Sequence, residues 1–281
     1  MRLSTINRNH NDGTGMPCSP PVTLTLDRGL QLLRAFHADR APLTNGELAK
    51  RTGMSRSSVS RLIATLIHVG FVRRVAEGRE FELAPGVFGV GHAYLSTNPI
   101  TGVAEPLMQR LADRLDVSVA LAVPDHLDML YIAYRYTAGV STLQLGVGSL
   151  LPMGVTAIGR AWLWKQPEAS RNGYVEQLLA AAGPKARELR KSIESSFRDL
   201  DANGVCMAVG EYQRHAYGIA LPVALGRPQT DMALSCGAVD VTRDIASIRA
   251  RVVPALRETA QELASLLEHL VIPKYGRAAP V

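Results

Sequence analysis

Residues 48–66 read Leu48-Ala49-Lys50-Arg51-Thr52-Gly53-Met54-Ser55-Arg56-Ser57-Ser58-Val59-Ser60-Arg61-Leu62-Ile63-Ala64-Thr65-Leu66, and this stretch decides the architecture of the first third of the chain. Leu48 to Arg51 close a short helix, Thr52-Gly53-Met54 make a turn, and Ser55 offers a side-chain oxygen to the open amides of a second helix. That helix carries Val59, Leu62, Ile63 and Leu66 on one face. Working upstream, Thr44-Asn45-Gly46-Glu47 has the Ser/Thr-x-x-Glu form of a capping box. Before it, Leu26, Leu30, Leu33 and Phe36 recur at helical spacing from about Thr25, a helix that ends between His37 and Pro42. Downstream, Gly70 fits a helix stop, and Phe71–Val75 and Glu80–Leu83 are extended runs about a Glu77-Gly78 turn, a two-stranded wing. Pro85-Gly86 closes the domain, and Val87–Leu95 reads as a connecting helix before the Thr97-Asn98-Pro99 break.

In a helix-turn-helix module the second helix enters the major groove with its N-terminal residues at base edges. Here the apolar face is taken by Val59, Leu62 and Ile63, which leaves Arg56, Ser57, Ser60 and Arg61 on the leading or opposite side. Arginine bonds guanine bidentately and serine contacts bases or phosphates. The candidate DNA contacts are therefore Thr44, Ser55, Arg56, Ser57, Ser58, Ser60 and Arg61, with Arg73, Arg74 and Arg79 of the wing suited to phosphate or the minor groove.

Charge agrees with this placement. The chain has 281 residues, 31 Lys+Arg and 25 Asp+Glu, a net of +6. Residues 1–95 hold 12 basic and 7 acidic side chains, so +5 lies in the first third and +1 in the rest. Lys50, Arg51, Arg56, Arg61, Arg73, Arg74 and Arg79 face one acid, Glu77, over residues 48–79. Such a stripe is the footprint of phosphate-backbone binding, although a basic surface also serves solubility.

The remaining length and the 47% apolar content supply a second core and exclude wholesale disorder. Cys18, Cys206 and Cys236 are far apart, with no Cys-x-x-Cys, which argues against a disulfide framework or structural zinc. No long uncharged apolar run and no signal-peptide core is visible, so the expectation is a cytoplasmic protein with no membrane contact. After residue 102, helices read at Val103–Asp116, Thr156–Lys165, Val175–Ala182, Lys185–Asn203 and Thr242–Leu270. Strands read at Val117–Val123, Met129–Tyr136, near Thr142–Val147, at Tyr217–Leu225 and at Met232–Val239. Interleaving of this kind gives an α+β or α/β domain. The organisation is thus a flexible tail at 1–21, a winged helix-turn-helix at 22–84, a linker helix at 85–101, the larger domain at 102–273 and a tail at 274–281.

Leu26-Asp27-Arg28-Gly29-Leu30 together with Leu48–Leu66 closely resembles the winged helix of IclR-family bacterial transcription regulators, and the resemblance extends over about Leu24 to Leu270. Leu151-Pro152-Met153-Gly154-Val155-Thr156-Ala157-Ile158-Gly159-Arg160-Ala161 looks like the family's effector-loop signature, and Asp201-Ala202-Asn203-Gly204-Val205 like its helix-to-strand junction. The resemblance implies an α+β chain with an N-terminal winged helix-turn-helix and a C-terminal GAF-like α/β effector-binding domain. It also implies homodimers through the first domain, often paired into homotetramers, on a double-stranded operator with inverted half-sites.

The same resemblance puts the effector pocket between the Met153–Gly159 loop and the strands Tyr217–Leu225 and Met232–Val239, with Met153, Thr156, Ala157, Ile158, Gly218, Leu234 and Cys236 as candidate ligand contacts. Independently, backbone amides of Thr156, Ala157 and Ile158 at a helix start suit a carboxylate, while Thr156 also reads as a plain helix cap. Where acid-binding members carry paired acids after the junction, this chain has Met207-Ala208-Val209-Gly210 before Glu211, and the usual Ser-x-Ser-Gly is Leu234-Ser235-Cys236-Gly237. Fewer hydroxyls and carboxylates favour an aromatic or otherwise apolar acid over a small keto acid. Strand alternation sets Tyr134 and Tyr136 on one face and Tyr131 on the other, with packing as their expected role; Trp162, Trp164 and Cys236 read as packing residues too.

No Gly-x-Ser-x-Gly, P-loop, His-Glu-x-x-His or Gly-x-Gly-x-x-Gly pattern occurs, so the reading is a regulator and not an enzyme, with no cofactor or metal. The alternative that stays open is a constitutive DNA-binding protein whose second domain only oligomerises.

Overall fold

The computed structural model describes residues 22–36, 42–75, 78–138, 145–239 and 244–271. The expected tails at 1–21 and 274–281 lie outside these residues, as do Glu77 of the wing turn and residues 142–144 of the strand expected near Thr142. Two compact units form, Met1–Gly91 and His92–Val281.

In the first unit, α1 (Leu24–Arg34), α2 (Asn45–Thr52) and α3 (Arg56–His68) enclose a small core of Leu32, Leu48, Val59, Ile63 and Leu66. Thr44 and Glu47 complete the capping box. The Glu47 carboxylate accepts from the Thr44 amide at 2.7 Å, and the Glu47 amide donates to Thr44 Oγ1 at 3.2 Å. Those bonds to Thr44 hold the Glu47 carboxyl below its ordinary value. Gly53 takes the left-handed conformation that the tight turn into α3 requires (φ 68°). The wing strands β2 (Val72–Arg74) and β3 (Glu80–Leu83) pair antiparallel, and a two-residue strand β1 (Leu43–Thr44) adds to β3 on its other side. Val72 and Phe81 turn inward from the wing to close the core.

The connecting helix α4 (Pro85–Thr97) buries no side chain. At its start Gly86 lies so close to Gly70 that a Cβ would stand 2.5 Å from the Gly70 carbonyl oxygen. Asn98 breaks the chain and caps α5 (Pro99–Leu115), so residues 99–101 belong to α5.

The second unit is a six-stranded sheet in the order β6-β5-β4-β9-β8-β7, antiparallel throughout. Its strands are β4 (Ser118–Asp125), β5 (Asp128–Arg135), β6 (Leu150–Pro152), β7 (Cys206–Val209), β8 (Ala216–Leu225) and β9 (Thr230–Val239). One face packs on α5 and α9 (Ile245–Leu267) through Leu111, Leu115, Ile219, Leu234, Val252 and Leu256. The other packs on α6 (Ala157–Lys165), α7 (Glu168–Ala182) and α8 (Ala186–Asn203) through Met129, Met153, Ile158, Leu163, Ile193 and Leu200. Trp162 is buried, edge-on to Tyr174, with its indole N–H on the Asp231 carbonyl at 3.1 Å. Among the described residues no helix is long and apolar enough to cross a membrane.

Candidate functional site

The polar side chains at the start of α3 are exposed and mutually bonded. Ser55 caps the helix by accepting from the Ser58 amide at 3.3 Å; its hydroxyl lies 2.9 Å from Ser58 Oγ and 3.1 Å from Ser57 Oγ. Asn45 Nδ2 donates to Ser60 Oγ at 2.7 Å, which ties the first turn of α2 to the outer face of α3. Because that bond uses an acceptor site of Ser60, its hydroxyl proton remains for an outside acceptor such as a phosphate or a purine edge. The Arg56 guanidinium lies over the start of α2, 3.7 Å from where a Gly46 Cβ would stand. On the wing, Arg73 pairs with Glu82 at 2.7 Å and Arg74 sits over the Phe81 ring at 5.1 Å, whereas Arg61 and Arg79 are exposed with no ion pair to another described residue. Thr44, half-buried, works inside the capping box. The candidate residues therefore stand at the start of α2, on α3 and on the wing: Thr44 and Ser55 cap the two helices, Ser60 joins α3 to α2, and the arginines present charge.

In the second unit, a cavity of about 650 Å³, counted to include its open mouth, lies between the sheet and the start of α6. It exists because neighbouring strands carry small residues on one face: Ser118 and Ala120 on β4, Ser235 and Gly237 on β9, Gly218 on β8 and Ala208 on β7. Side chains this small leave a gap between sheet and helix that larger ones would fill. The opposite wall is the turn Val155-Thr156-Ala157-Ile158. Thr156 caps α6, accepting from the Gly159 amide at 3.4 Å and donating to the Pro152 carbonyl at 2.8 Å. Gly159 is obligatory there, since a Cβ would stand 2.2 Å from the Met153 carbonyl oxygen.

Of the residues expected to line the pocket, Thr156, Ala157, Ile158, Gly218 and Cys236 border this cavity, and Met153 and Leu234 do not. Met153 is buried beneath the α6 turn, and Leu234 points to the α5/α9 side. Cys236 shares the Leu234 face, so its thiol packs in the α5/α9 core, where burial raises its pKa. Alternation along β9 gives the cavity Ser235 and Gly237 instead. The expected loss of hydroxyls is thereby corrected. Ser118, Ser235, Tyr131, Tyr134 and Tyr212 all border the space, together with Glu211.

Tyr134 and Tyr136 share a face as expected, but the assignment of Tyr131 to the other face is overturned. The register between β4 and β5 shifts at Leu121/Ala122, where Leu121 opposes Ala133 and Ala122 opposes Tyr131, leaving Ile132 as an extra residue. Ile132 and Ala133 both turn to the α5/α9 core, so Tyr131 and Tyr134 emerge on the cavity side. The Tyr131 and Tyr134 rings stack at 5.9 Å and 18°, and Tyr136 continues the series at 5.7 Å from Tyr134. Ser118 gives its proton to the Gly237 carbonyl at 2.6 Å, and the Ser118 and Ser235 hydroxyls lie beside the Tyr134 and Tyr131 phenols respectively. Burial raises both phenol pKa values, which keeps the rings neutral.

Beneath the α6 turn lies Arg160, only 1% exposed. Its Nε donates to the Gly154 carbonyl at 2.8 Å and its Nη1 to Ser196 Oγ at 3.2 Å, and the two Nη atoms grip both oxygens of Glu211. Cys206 Sγ donates to the Ala157 carbonyl at 3.3 Å, and burial pushes its pKa up to about 12, so this thiol is inert packing under the helix.

Comparison with known proteins agrees with both units. Residues 25–76 match the family model described as the IclR helix-turn-helix domain, and residues 92–265 match that of the bacterial transcriptional regulator IclR C-terminal domain. The Pca regulon regulatory protein of Pseudomonas putida is 31% identical over 252 residues, which span 87% of this chain and 84% of that protein. An IclR family transcriptional regulator from Brucella abortus has the same fold at a TM-score of 0.82 and 30% identity, over 94% of this chain and 97% of that one. An IclR homolog from Microbacterium hydrocarbonoxydans, solved in complex with 4-hydroxybenzoate, shares the fold at a TM-score of 0.62 and 22% identity, over 86% of this chain and 98% of that one.

Proposed function

The chain belongs to the IclR family of bacterial transcriptional regulators, with a helix-turn-helix DNA-binding domain and an effector-binding C-terminal domain, and from that premise we propose that it is a regulator gated by an aromatic acid. It binds an inverted-repeat operator, with α3 in the major groove and the wing arginines on the backbone. A homodimer, or a homotetramer built from two, matches the symmetry of such a site. Exposed apolar side chains on α1 (Leu24, Leu26, Leu30) and α4 (Phe88, Val90) support association through the first unit.

The observation that carries the effector reading is the cavity's shape and chemistry. Neutral tyrosine rings wall a space that opens on the first turn of α6, where backbone amides and the helix dipole favour a carboxylate. A flat ring with one acidic group fits both features. The 4-hydroxybenzoate bound to a homolog of the same fold supports the same class of ligand. A ligand gates DNA binding only through different affinities for the DNA-bound and free states.

The test is fluorescence anisotropy of the full-length protein on DNA from upstream of its own gene, titrated with 4-hydroxybenzoate, benzoate, glyoxylate and pyruvate, beside melting curves with the same acids. Aromatic acids are expected to shift both readouts at lower concentration than the keto acids. Tighter response to glyoxylate or pyruvate would overturn the aromatic assignment. No response to any acid, with operator binding intact, would instead assign the second unit to oligomerisation alone.

A further inference from the structure

The cavity already contains a carboxylate. Glu211 borders it, and its two oxygens lie on the buried guanidinium of Arg160, whose Nε reaches back to Gly154 just before the α6 cap. Arg160 thus adds a full positive charge to the end of α6 that the helix dipole already makes electropositive. Its Nε is committed to Gly154 and its Nη1 shared with Ser196, so a single two-pronged edge remains, and Glu211 fills it. Two carboxylates do not share that edge, since like charges at contact distance disfavour each other. Nor does the edge stay empty, because an unpaired buried guanidinium is strongly destabilising. Occupancy is therefore an exchange between one anion and another.

Glu211 is the member of the pair able to leave. It belongs to the exposed turn 210–215 between β7 and β8, closed by a 2.8 Å bond from the Gly210 amide to the Ala216 carbonyl, with Gly210 in the left-handed region. Arg160 is fixed in α6 and bonded to the preceding loop and to α8.

We propose that Glu211 is a built-in competitor for the effector: it occupies on Arg160 the place that the effector's carboxylate takes, and acid binding releases Glu211 together with the 210–215 turn. The inference rests on the aromatic-acid reading above and supplies its switching element. Binding energy from burying the ring drives an exchange of carboxylates that is itself nearly balanced, and the freed turn is the change that the rest of the protein senses.

Hydrogen exchange of the full-length wild-type protein tests this with benzoate and with benzamide, its uncharged isostere. Benzoate is expected to speed exchange of the 210–215 amides although it is a bound ligand, and benzamide to leave them unchanged. Calorimetry on Glu211→Gln should show benzoate binding about tenfold tighter than to wild type, within the usual range for coupling between two sites. Slower or unchanged exchange on benzoate binding overturns the proposal and leaves the aromatic-acid reading standing. Equal or weaker binding by a Glu211→Gln protein with wild-type melting does the same. If Glu211→Gln does not fold, the wild-type exchange data decide alone. If neither benzoate nor 4-hydroxybenzoate binds the wild type, both readings fall together.

Discussion

The rings of Tyr131 and Tyr134 stack at 5.9 Å although three positions separate them on one strand, where strict alternation would put them on opposite faces. The extra residue Ile132 makes the difference. Tyr134→Phe keeps the ring and loses only the hydroxyl beside Ser118, so it should change stability by no more than about 1 kcal/mol and leave aromatic-acid affinity nearly intact. Tyr134→Ala removes a buried ring and should cost roughly 3–5 kcal/mol while weakening the acid's binding. Urea unfolding and calorimetry on the two variants separate the hydroxyl from the ring.

Arg61 and Arg73 should behave differently on DNA. Arg61 is exposed on the recognition helix with no ion pair to another described residue, and Arg61→Ala is expected to lower operator affinity by about 1–3 kcal/mol and relax sequence preference. Arg73 is held by Glu82 on the wing, so Arg73→Ala should weaken operator and unrelated DNA alike and reduce the salt slope by about one unit. Anisotropy at several salt concentrations on both DNAs reads the contrast.

Gly159→Ala should unfold the second unit. Its Cβ would stand 2.2 Å from the Met153 carbonyl oxygen and 2.4 Å from the Met153 Cα, both main-chain atoms, and relief needs the loop to lift off α6. A cost above about 3 kcal/mol is expected. Gly173→Ala on α7 meets nothing within 4 Å and serves as the control, neutral or stabilising by about 0.5–1 kcal/mol. Melting temperatures of the two variants provide the comparison.

Asp199 links α8 to α9 by gripping Arg249, with one bond at 2.7 Å. Burial pushes its pKa up, but the bonds from Arg249 and Asn203 and the Arg249 charge outweigh this, and the net result lies below the ordinary value of 3.8. A carboxyl whose folded pKa is depressed contributes stability above its unfolded pKa and loses it as pH falls through the folded one. The melting temperatures of wild type and Asp199→Asn should therefore differ at neutral pH and converge under acid, below about pH 4. A constant gap across that range would show that Asp199 acts by packing alone.

The first unit was legible because its determinants are local. The Thr44–Glu47 box, the Ser55 cap and the turn at Gly53 each act within four residues and need no knowledge of the rest of the fold. β1, of two residues, exists only because β3 lies beside it, and β7 was hidden by its short length. The position of the cavity behind the α6 turn followed from the resemblance, but its lining did not. Which of Leu234, Ser235 and Cys236 faces the space depends on register with β4 and β8, and the tyrosine faces depend on a bulge seen only once β4 and β5 are paired. Arg160 and Glu211 are 51 positions apart and were joined by nothing in the sequence. Period-two small residues on successive strands, Ser118-x-Ala120 and Ser235-x-Gly237, were the one sequence signal of the cavity itself.

The crossing of the Met153 main chain over Gly159 divides the cavity into parts that can and cannot drift during evolution. The α6 turn is held by backbone contacts that tolerate no side chain at Gly159, so its amides are a constant inherited by any descendant that folds. Tyr131, Tyr134 and Tyr212 come from strand and turn positions outside that crossing. Substitutions there can redraw the outline of the cavity while the α6 turn is preserved, which lets one lineage of regulators change what the cavity admits without rebuilding the turn beside it.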